Sequence, residues 1–544
     1  MNISVFHNGN AQGDFPVDGD YFRQKIEIPA KEGKMTFTLQ FPIRDIQSYW
    51  TPQLRTPGIR LLWNIIAESA AQSYYPFASF FNLGQTNRFS IGTTNLVDDT
   101  RITAKMNQES CIYEITVDVT LSGVSEDFDL IIDRREVLWT EALADWRTAA
   151  GGDMPLPEFP AGAWEPVFCT WYAVHAAMTQ DWVEANCKSA SELGFKTLII
   201  DDGWCFDEKK RVSPETLTHW YEQIGDWKLS KEKFPDFDAH RQRVQAMGMK
   251  YMLWVTPFLI GAKSELCQEI RHALGTTYHE GRYLFDSSHK DACEKVIAKL
   301  RHVIEDYKLD GLKVDFLDEI RPSQETPRGM HTLDFIRELS REIRNVNPEA
   351  LIEFRQSYST IQMIPYGTQF RAGDVPFDYI DNFQRLCQIR ISMGDGVPVH
   401  ADPAYWHPAE TAENAARHMI ASLVGVPMIS MELTALSETE KNIIRFWLDF
   451  YQAHRKALNL GKWNVRYHLN AVAYALCNTP EESILILNDS ARLSEALAKC
   501  SGRIWICNLS PDALSLDGAI CYTPDGRESN PGIIPEAGLG VINR

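Results

Sequence analysis

No stretch of these 544 residues approaches the ~18 consecutive apolar positions that a membrane span requires, and no basic run, low-complexity segment or internal repeat stands out. Acids outnumber lysine plus arginine by 73 to 54, a net charge of −19. Phosphate contacts need concentrated positive charge, so a nucleic-acid partner is excluded. The eleven cysteines are scattered without a CxxC pair, which reads as free thiols in a reducing compartment. Met1-Asn-Ile-Ser-Val-Phe lacks the basic segment and apolar run of a secretory leader, so the expectation is a cytoplasmic protein with no membrane partner.

The usual cofactor and nucleophile signatures are missing too. His279-Glu-Gly-Arg-Tyr283 lacks the second histidine of a zinc-protease helix, and Gly261-Ala-Lys-Ser264 lacks the frame of a phosphate loop. There is no GxSxG elbow and no GxGxxG after a strand.

What is present is ample core material, 44% hydrophobic and 11% aromatic, in a length suited to roughly three domains. In the first ~145 residues Met35, Phe37, Leu39, Phe41 and Ile43 alternate with mostly polar neighbours, as do Tyr113, Ile115, Val117, Val119 and Leu121. Such period-2 runs between Gly, Pro and Asn turns describe an antiparallel β-sandwich. A helix over about Arg134 to Ala149 then leads into the breaker-rich Gly151-Gly-Asp-Met-Pro-Leu-Pro157.

The middle changes period. Short apolar strands are expected at Pro166–Trp171, Thr197–Asp201, Tyr251–Thr256, Gly311–Phe316, Leu351–Arg355, Gln369–Gly373, Val397–Ala401 and Pro427–Met431. Amphipathic helices between them lead to eight strand–helix units in about 290 residues. That count fits a (β/α)₈ TIM barrel better than an open doubly wound sheet. After Trp463 the pattern returns to strands. The organisation expected is an N-terminal β-sandwich with a linker helix at 1–150, a barrel at 151–460 and a small C-terminal β-sandwich at 461–544.

Side chains at the C-terminal ends of barrel strands line the site. Read in order, those ends supply Trp171, Asp201, Asp202, Trp204, Trp254, Lys313, Asp315, Arg355, Asp374, His400 and Asp402. Carboxylates that accept from hydroxyls and tryptophans that cover the apolar face of a ring together describe a sugar pocket. Glycoside cleavage needs two carboxyls, one ionised and one kept protonated. In Asp310-Gly-Leu-Lys-Val-Asp-Phe316, Lys313 and Asp315 share a strand face, and a neighbouring cation favours the ionised form. Asp374, two strands further on in Phe370-Arg-Ala-Gly-Asp374, is the candidate acid.

Plainer readings stand beside these. Lys313 could simply pair with Asp315 or Asp318, and Arg371 with Asp374 or Asp378. His400 could be a satisfied core histidine, and Asp226-Trp227 loop packing. His400, Asp402 and His407 have ligand chemistry, but Pro403 and the aromatics around it favour a loop at the lip of a sugar pocket.

With these residues assembled, the chain resembles the α-galactosidases (melibiases) of glycoside hydrolase family 36, in the clan shared with family 27. The resemblance runs through sandwich, barrel and C-terminal β domain. Pro166-Val-Phe-Cys-Thr-Trp171 is similar to the family's first strand, which ends in a substrate-facing Trp. Ile200-Asp-Asp-Gly-Trp204 resembles the acidic pair that holds the C4 and C6 hydroxyls of galactose. Gly225-Asp-Trp227 with Lys233-Phe-Pro235 is similar to the segment after strand two. Leu312-Lys-Val-Asp-Phe316 resembles the nucleophile strand, implying Asp315 as nucleophile and Lys313 as a hydroxyl ligand. Phe370-Arg-Ala-Gly-Asp374 is similar, more loosely, to the acid/base segment and implies Asp374 with Arg371. The fifth strand departs: Glu353-Phe-Arg-Gln-Ser-Tyr358 replaces a Cys/Ser-Gly-Gly loop near C2, placing larger polar groups there.

The expectation is therefore a retaining exo-α-galactosidase acting on oligosaccharides. Asp315 and Asp374 are catalytic, and Trp171, Asp201, Asp202, Trp204, Trp254, Lys313, Arg355 and Arg371 bind substrate. No metal or organic cofactor is expected, because carboxyl groups supply every proton transfer and the covalent step. Alternatives are a β-L-arabinopyranosidase, an α-N-acetylgalactosaminidase, a galactosyl transglycosidase, or a catalytically silent carbohydrate-binding protein. The resemblance admits a homo-oligomer, although no interface signal appears in the sequence.

Overall fold

Alternating residues in the first third bury every second side chain between two antiparallel sheets. The computed structural model describes residues 1–123, 125–151, 155–207, 220–279, 281–319 and 329–543. Positions 152–154 of the expected link, and 208–219 of the long segment after the second barrel strand, lie outside these. One sheet has six strands, running Asn10–Pro16, Asn2–His7, Glu32–Pro42, Ile112–Ser122, Asp99–Asn107 and Asn64–Ser69 in spatial order. The other has five: Tyr21–Ile26, Phe128–Asp133, Asn87–Thr93, Phe77–Phe81 and Ser48–Trp50. Phe37, Phe41, Phe80, Phe89 and Tyr113 fill the space between them. The connecting helix is Trp139–Gly151 and starts later than the sequence suggested. It buries Trp139 and Trp146 against Trp50, Tyr75 and Phe77.

Eight parallel strands follow: Val167–Cys169, Thr197–Ile200, Lys250–Val255, Gly311–Val314, Leu351–Arg355, Gln369–Arg371, Val399–His400 and Met428–Ile429, hereafter barrel strands one to eight. Strand one pairs with strand eight, and a bridge from His400 to Val426 closes the cylinder. The strands are short and apolar because both faces are covered, the signature of buried parallel sheets. Outward Phe168, Leu198, Leu253, Leu312 and Phe354 join the shell beneath the helices. Inward Val167, Cys169, Ile199, Met252, Leu351 and Met428 form an apolar floor, sealed by Ala163.

The expectation of a helix after every strand fails once. Among the described residues helices follow seven strands, but strand five leads only into a 3₁₀ turn at Ile361–Met363. The thirteen residues between Arg355 and Gln369 are too few for a full return helix with its two turns. The N-terminal sandwich covers that flank instead. Tyr74 N donates to Ser357 O, and Gln362 Nε2 donates to Tyr74 O at 2.6 Å. The loop after strand three also carries a three-stranded antiparallel insertion, Leu259–Gly261, Leu274–His279 and Arg282–Phe285, that periodicity did not reveal.

The helix Glu438–Leu460, opened by a capping box at Ser437 and Glu440, leads to the C-terminal β region. Its main sheet has six strands and includes one parallel pair, Glu482–Leu487 with Arg503–Asn508, linked through a short helix at Leu493–Leu497. A two-stranded ribbon lies apart from that sheet. No helix among the described residues is long and apolar enough to cross a membrane, and all eleven cysteines are free.

Candidate active site

Above the apolar floor the barrel interior turns abruptly polar. Parallel register sets inward residues of adjacent strands side by side. Lys313 of strand four stands beside Glu353 of strand five, and Arg355 of strand five beside Arg371 of strand six, which in turn faces His400. One turn of pleat therefore separates a hydrocarbon layer from a layer of charge.

Asp315 lies just past strand four and is 7% exposed. Its Oδ1 accepts from Phe316 N at 2.8 Å, from Arg355 Nε and from Tyr358 OH at 3.3 Å. Oδ2 accepts from Trp254 Nε1 at 2.9 Å. Burial alone would push this carboxyl up, but Arg355, Lys313 and Arg371 together hold it well below the usual carboxylate range. The sequence assigned that role to Lys313, and the structure gives the direct contact to Arg355. Phe316 takes a left-handed φ of 56° and lies beneath the Arg355 guanidinium. Strained backbone of this kind persists where surrounding contacts over-determine it.

Lys313 pairs with Asp201 of strand two, Nζ to Oδ2 at 2.6 Å, and with neither Asp315 nor Asp318. Burial would strip its proton, yet Asp201 more than compensates and keeps it charged. Asp201 Oδ1 accepts from the Asp202 backbone N–H, and Cys169 Sγ donates to Oδ2. Asp202 is buried beside it. Trp171 stands half-buried over this group, edge-on to His175 and packed in the cluster that contains Trp254.

Trp204 corrects the expectation. It is 0% exposed, packs edge-on against Tyr307 and donates Nε1 to Trp254 O at 2.7 Å. With its face in the core and its only donor used, it supports strand three and cannot cover a sugar. Trp254 is likewise buried, and its indole donor holds Asp315.

Arg371 is the hub of the opposite wall. It contacts Asp374 Oδ1 at 3.0 Å, Asp402 Oδ1, and Glu353 Oε1 at 3.3 Å. The Asp378 alternative fails, because that carboxyl caps the helix Tyr379–Met393 through Asp381 N. Asp402 is wholly buried, and its Oδ2 accepts from Tyr172 OH and Val375 N, each at 2.8 Å. Burial pushes both Asp402 and Glu353 up to about 7 against the pull of Arg371.

Asp374 behaves differently from the protonated acid the sequence suggested. Its side chain is 56% exposed. What burial it has favours the neutral form, but Arg371, Lys313 and Arg355 outweigh that and lower it below the ordinary range. It is therefore a carboxylate at neutral pH.

The plainer readings hold elsewhere. His400 is buried with Nε2 at 2.7 Å from Ala163 O, and burial brings it down to about 4. His407 accepts from Ala409 N, and Asp402 faces Arg371, so the three do not converge on a metal position. Asp226 accepts from the first amides of the helix at Glu265–Glu269. Sequence reasoning gave no individual part to Tyr172 or Tyr358. Tyr172 immediately follows a candidate tryptophan, and Tyr358 closes the atypical fifth-strand segment. Their hydroxyls matter only through partners far away in sequence, which no local pattern displays.

Comparison with known proteins places this geometry in context. Residues 161–334 match the family model described as Melibiase. The chain is 24% identical over 323 residues to the α-galactosidase AgaA of Geobacillus stearothermophilus, covering 54% of this chain and 41% of that enzyme. It is 22% identical over 392 residues to the bifunctional α-galactosidase/sucrose kinase AgaSK of Mediterraneibacter gnavus, 68% of this chain and 39% of the relative. The aligned segments thus span less than half the length of either relative. A crystal structure of a GH36 AgaA variant with 1-deoxygalactonojirimycin superposes with a TM-score of 0.66 at 14% identity, over 96% of this chain and 78% of that one.

Proposed function

We propose, from the match of residues 161–334 to the family model described as Melibiase, that this chain is a retaining exo-α-galactosidase of the GH36 type. The observation that carries this reading is the carboxylate of Asp315, held ionised by Arg355 at the end of strand four beside the Lys313–Asp201 pair. A nucleophilic carboxylate must stay charged in a pocket poor in water, and three cations do that here.

Asp201, Asp202 and Lys313 form one end of the pocket and suit the hydroxyls of a galactosyl ring. Trp171, half-buried, is the aromatic available to its apolar face. Asp315 attacks the anomeric carbon, the glycosidic carbon–oxygen bond breaks, and Asp374 delivers a proton to the departing oxygen. In the second half Asp374 takes a proton from water, whose oxygen displaces Asp315. Oδ2 suits the attack, since Oδ1 is committed to Phe316 N and Arg355 Nε. Asp374 must first gain a proton that Arg371, Lys313 and Arg355 disfavour. Substrate supplies the change, because a bound sugar excludes water from the carboxyl and desolvation favours the neutral form.

Arg355 occupies the fifth-strand side, where the family resemblance puts the C2 substituent. A guanidinium tied to Asp315 leaves less room for a 2-acetamido group than a glycine-rich loop does, so galactosides are favoured over N-acetylgalactosaminides. The test is initial rates on p-nitrophenyl α-D-galactopyranoside, β-L-arabinopyranoside and α-N-acetylgalactosaminide, with Asp315→Ala alongside. Turnover of the galactoside, loss of at least about 10³-fold in the variant and rescue by azide to the β-galactosyl azide are expected. Binding of galactose with no turnover of any of the three substrates would overturn the reading in favour of a sugar-binding protein.

A further inference from the structure

We propose that Phe377 and Tyr405 form the leaving-group subsite, an aromatic platform on which the sugar next to the scissile bond stacks. This rests on the reading of Asp374 as the acid.

Phe377 is 58% exposed, on a loop where Val375 is buried and Asp374, Pro376 and Asp378 face solvent with it. A single exposed apolar residue needs no explanation, but three features set this one apart. It adopts a left-handed φ of 67°, a conformation that costs a side-chain-bearing residue free energy and recurs where function demands it. Its ring lies 4.8 Å from that of Tyr405, which comes from a different loop. Both loops leave the C-terminal ends of barrel strands, six and seven, on the same face as Asp315.

The platform is also tied to the acid. Tyr405 packs 5.9 Å from the ring of Tyr172. Tyr172 OH donates to Asp402 Oδ2, which also accepts from Val375 N, the amide immediately after Asp374. Asp402 and Asp374 share the Arg371 guanidinium. The leaving oxygen must come within hydrogen-bonding reach of Asp374, and the residue it belongs to then extends outward along the rim. Phe377 stands three positions beyond Asp374 on that rim. Its ligand is a neutral pyranose or furanose presenting a C–H face to the rings. The segment Ala401–His407, rich in aromatics and without a metal-binding arrangement, thereby acquires a purpose.

The experiment compares wild type, Phe377→Ala and Phe377→Trp on raffinose, whose leaving group is a sugar, and on α-D-galactosyl fluoride, whose leaving group is one atom. Phe377 is exposed, so neither variant threatens folding, and the fluoride rate reports an intact Asp315 site. In Phe377→Ala, kcat/KM on raffinose is expected to fall about tenfold through KM, with the fluoride unchanged, and Phe377→Trp to restore it. Equal effects on both substrates, or none on raffinose, would overturn the platform. If wild type fails on the fluoride itself, the catalytic reading fails first and the platform falls with it.

Discussion

Glu353 and Asp402 share one guanidinium with Asp374, and a single cation cannot neutralise three carboxylates. Lys313 is committed to Asp201, and Arg355 to Asp315 and Asp318. The two carboxyls with least access to water therefore take up the deficit by holding protons, each pushed up to about 7. A carboxyl raised on folding stabilises the fold through its neutral form. For Glu353 that contribution is complete below the usual 4.5 and is lost as the pH climbs through about 7, a window that amounts to about 3 kcal/mol. Glu353→Gln keeps the shape and cannot ionise, so its thermal midpoint is expected to gain on wild type from pH 5 to about pH 7 and to level off above it. Melting curves at several pH values check this, and a constant difference between the two proteins would refute it. Apart from Glu353, the residues in this layer were readable as a set, since strand ends collect functional side chains. Their pairing was not. Lys313 and Asp315 are two apart in sequence, yet their partners are 112 and 40 residues away, and burial rather than proximity along the chain decides which charges meet.

At the scale of the element, eight apolar strands were legible because buried parallel strands carry uninterrupted hydrophobic runs. The same rule hid what happens between them. The insertion after strand three alternates only over short stretches, and the missing helix after strand five is replaced by contacts with another domain. Register is more tightly specified than the strands' short lengths suggest. A Cβ on Gly311 would lie 2.2 Å from Leu351 O, on the neighbouring strand's backbone. Backbone cannot swing aside as a side chain can, so strands four and five approach as they do only because position 311 has no side chain. Gly311→Ala is expected to cost several kcal/mol and to shift Lys313 and Asp315 relative to Glu353 and Arg355. Chemical denaturation and the rate on the galactoside should fall together. Full activity at unchanged stability would show that the strand can slide without consequence for the site.

Across the whole molecule one hydrophobic cluster runs without a break from the sandwich through the barrel to the C-terminal sheet. It includes Trp50, Phe77 and Phe81 of the sandwich, the barrel shell, and Tyr467, Ile484 and Val541 beyond it. Trp139 of the connecting helix joins the sandwich to the C-terminal sheet, stacking on Phe81, leaning on Trp50 and meeting Tyr467 at 5.3 Å. Polar contacts follow the same route: Gln388 Nε2 donates to Pro52 O and Leu54 O, and Tyr75 hydrogen-bonds Ser392 at 2.7 Å. Interfaces this apolar couple the stability of their parts, whereas small polar ones let domains unfold alone. Trp50 is wholly buried at this junction, and removing a buried tryptophan side chain costs roughly 3–5 kcal/mol. If the parts unfold as one, wild type gives a single calorimetric transition whose enthalpy matches the van't Hoff value, and Trp50→Ala moves that whole transition down. If the sandwich is independent, calorimetry resolves two transitions and the variant displaces only one, leaving the barrel's midpoint and galactoside turnover in place. The first outcome is expected, because the sandwich also stands where the barrel lacks a helix, and a barrel that lost it would expose the flank of strand five beside Arg355 and Tyr358.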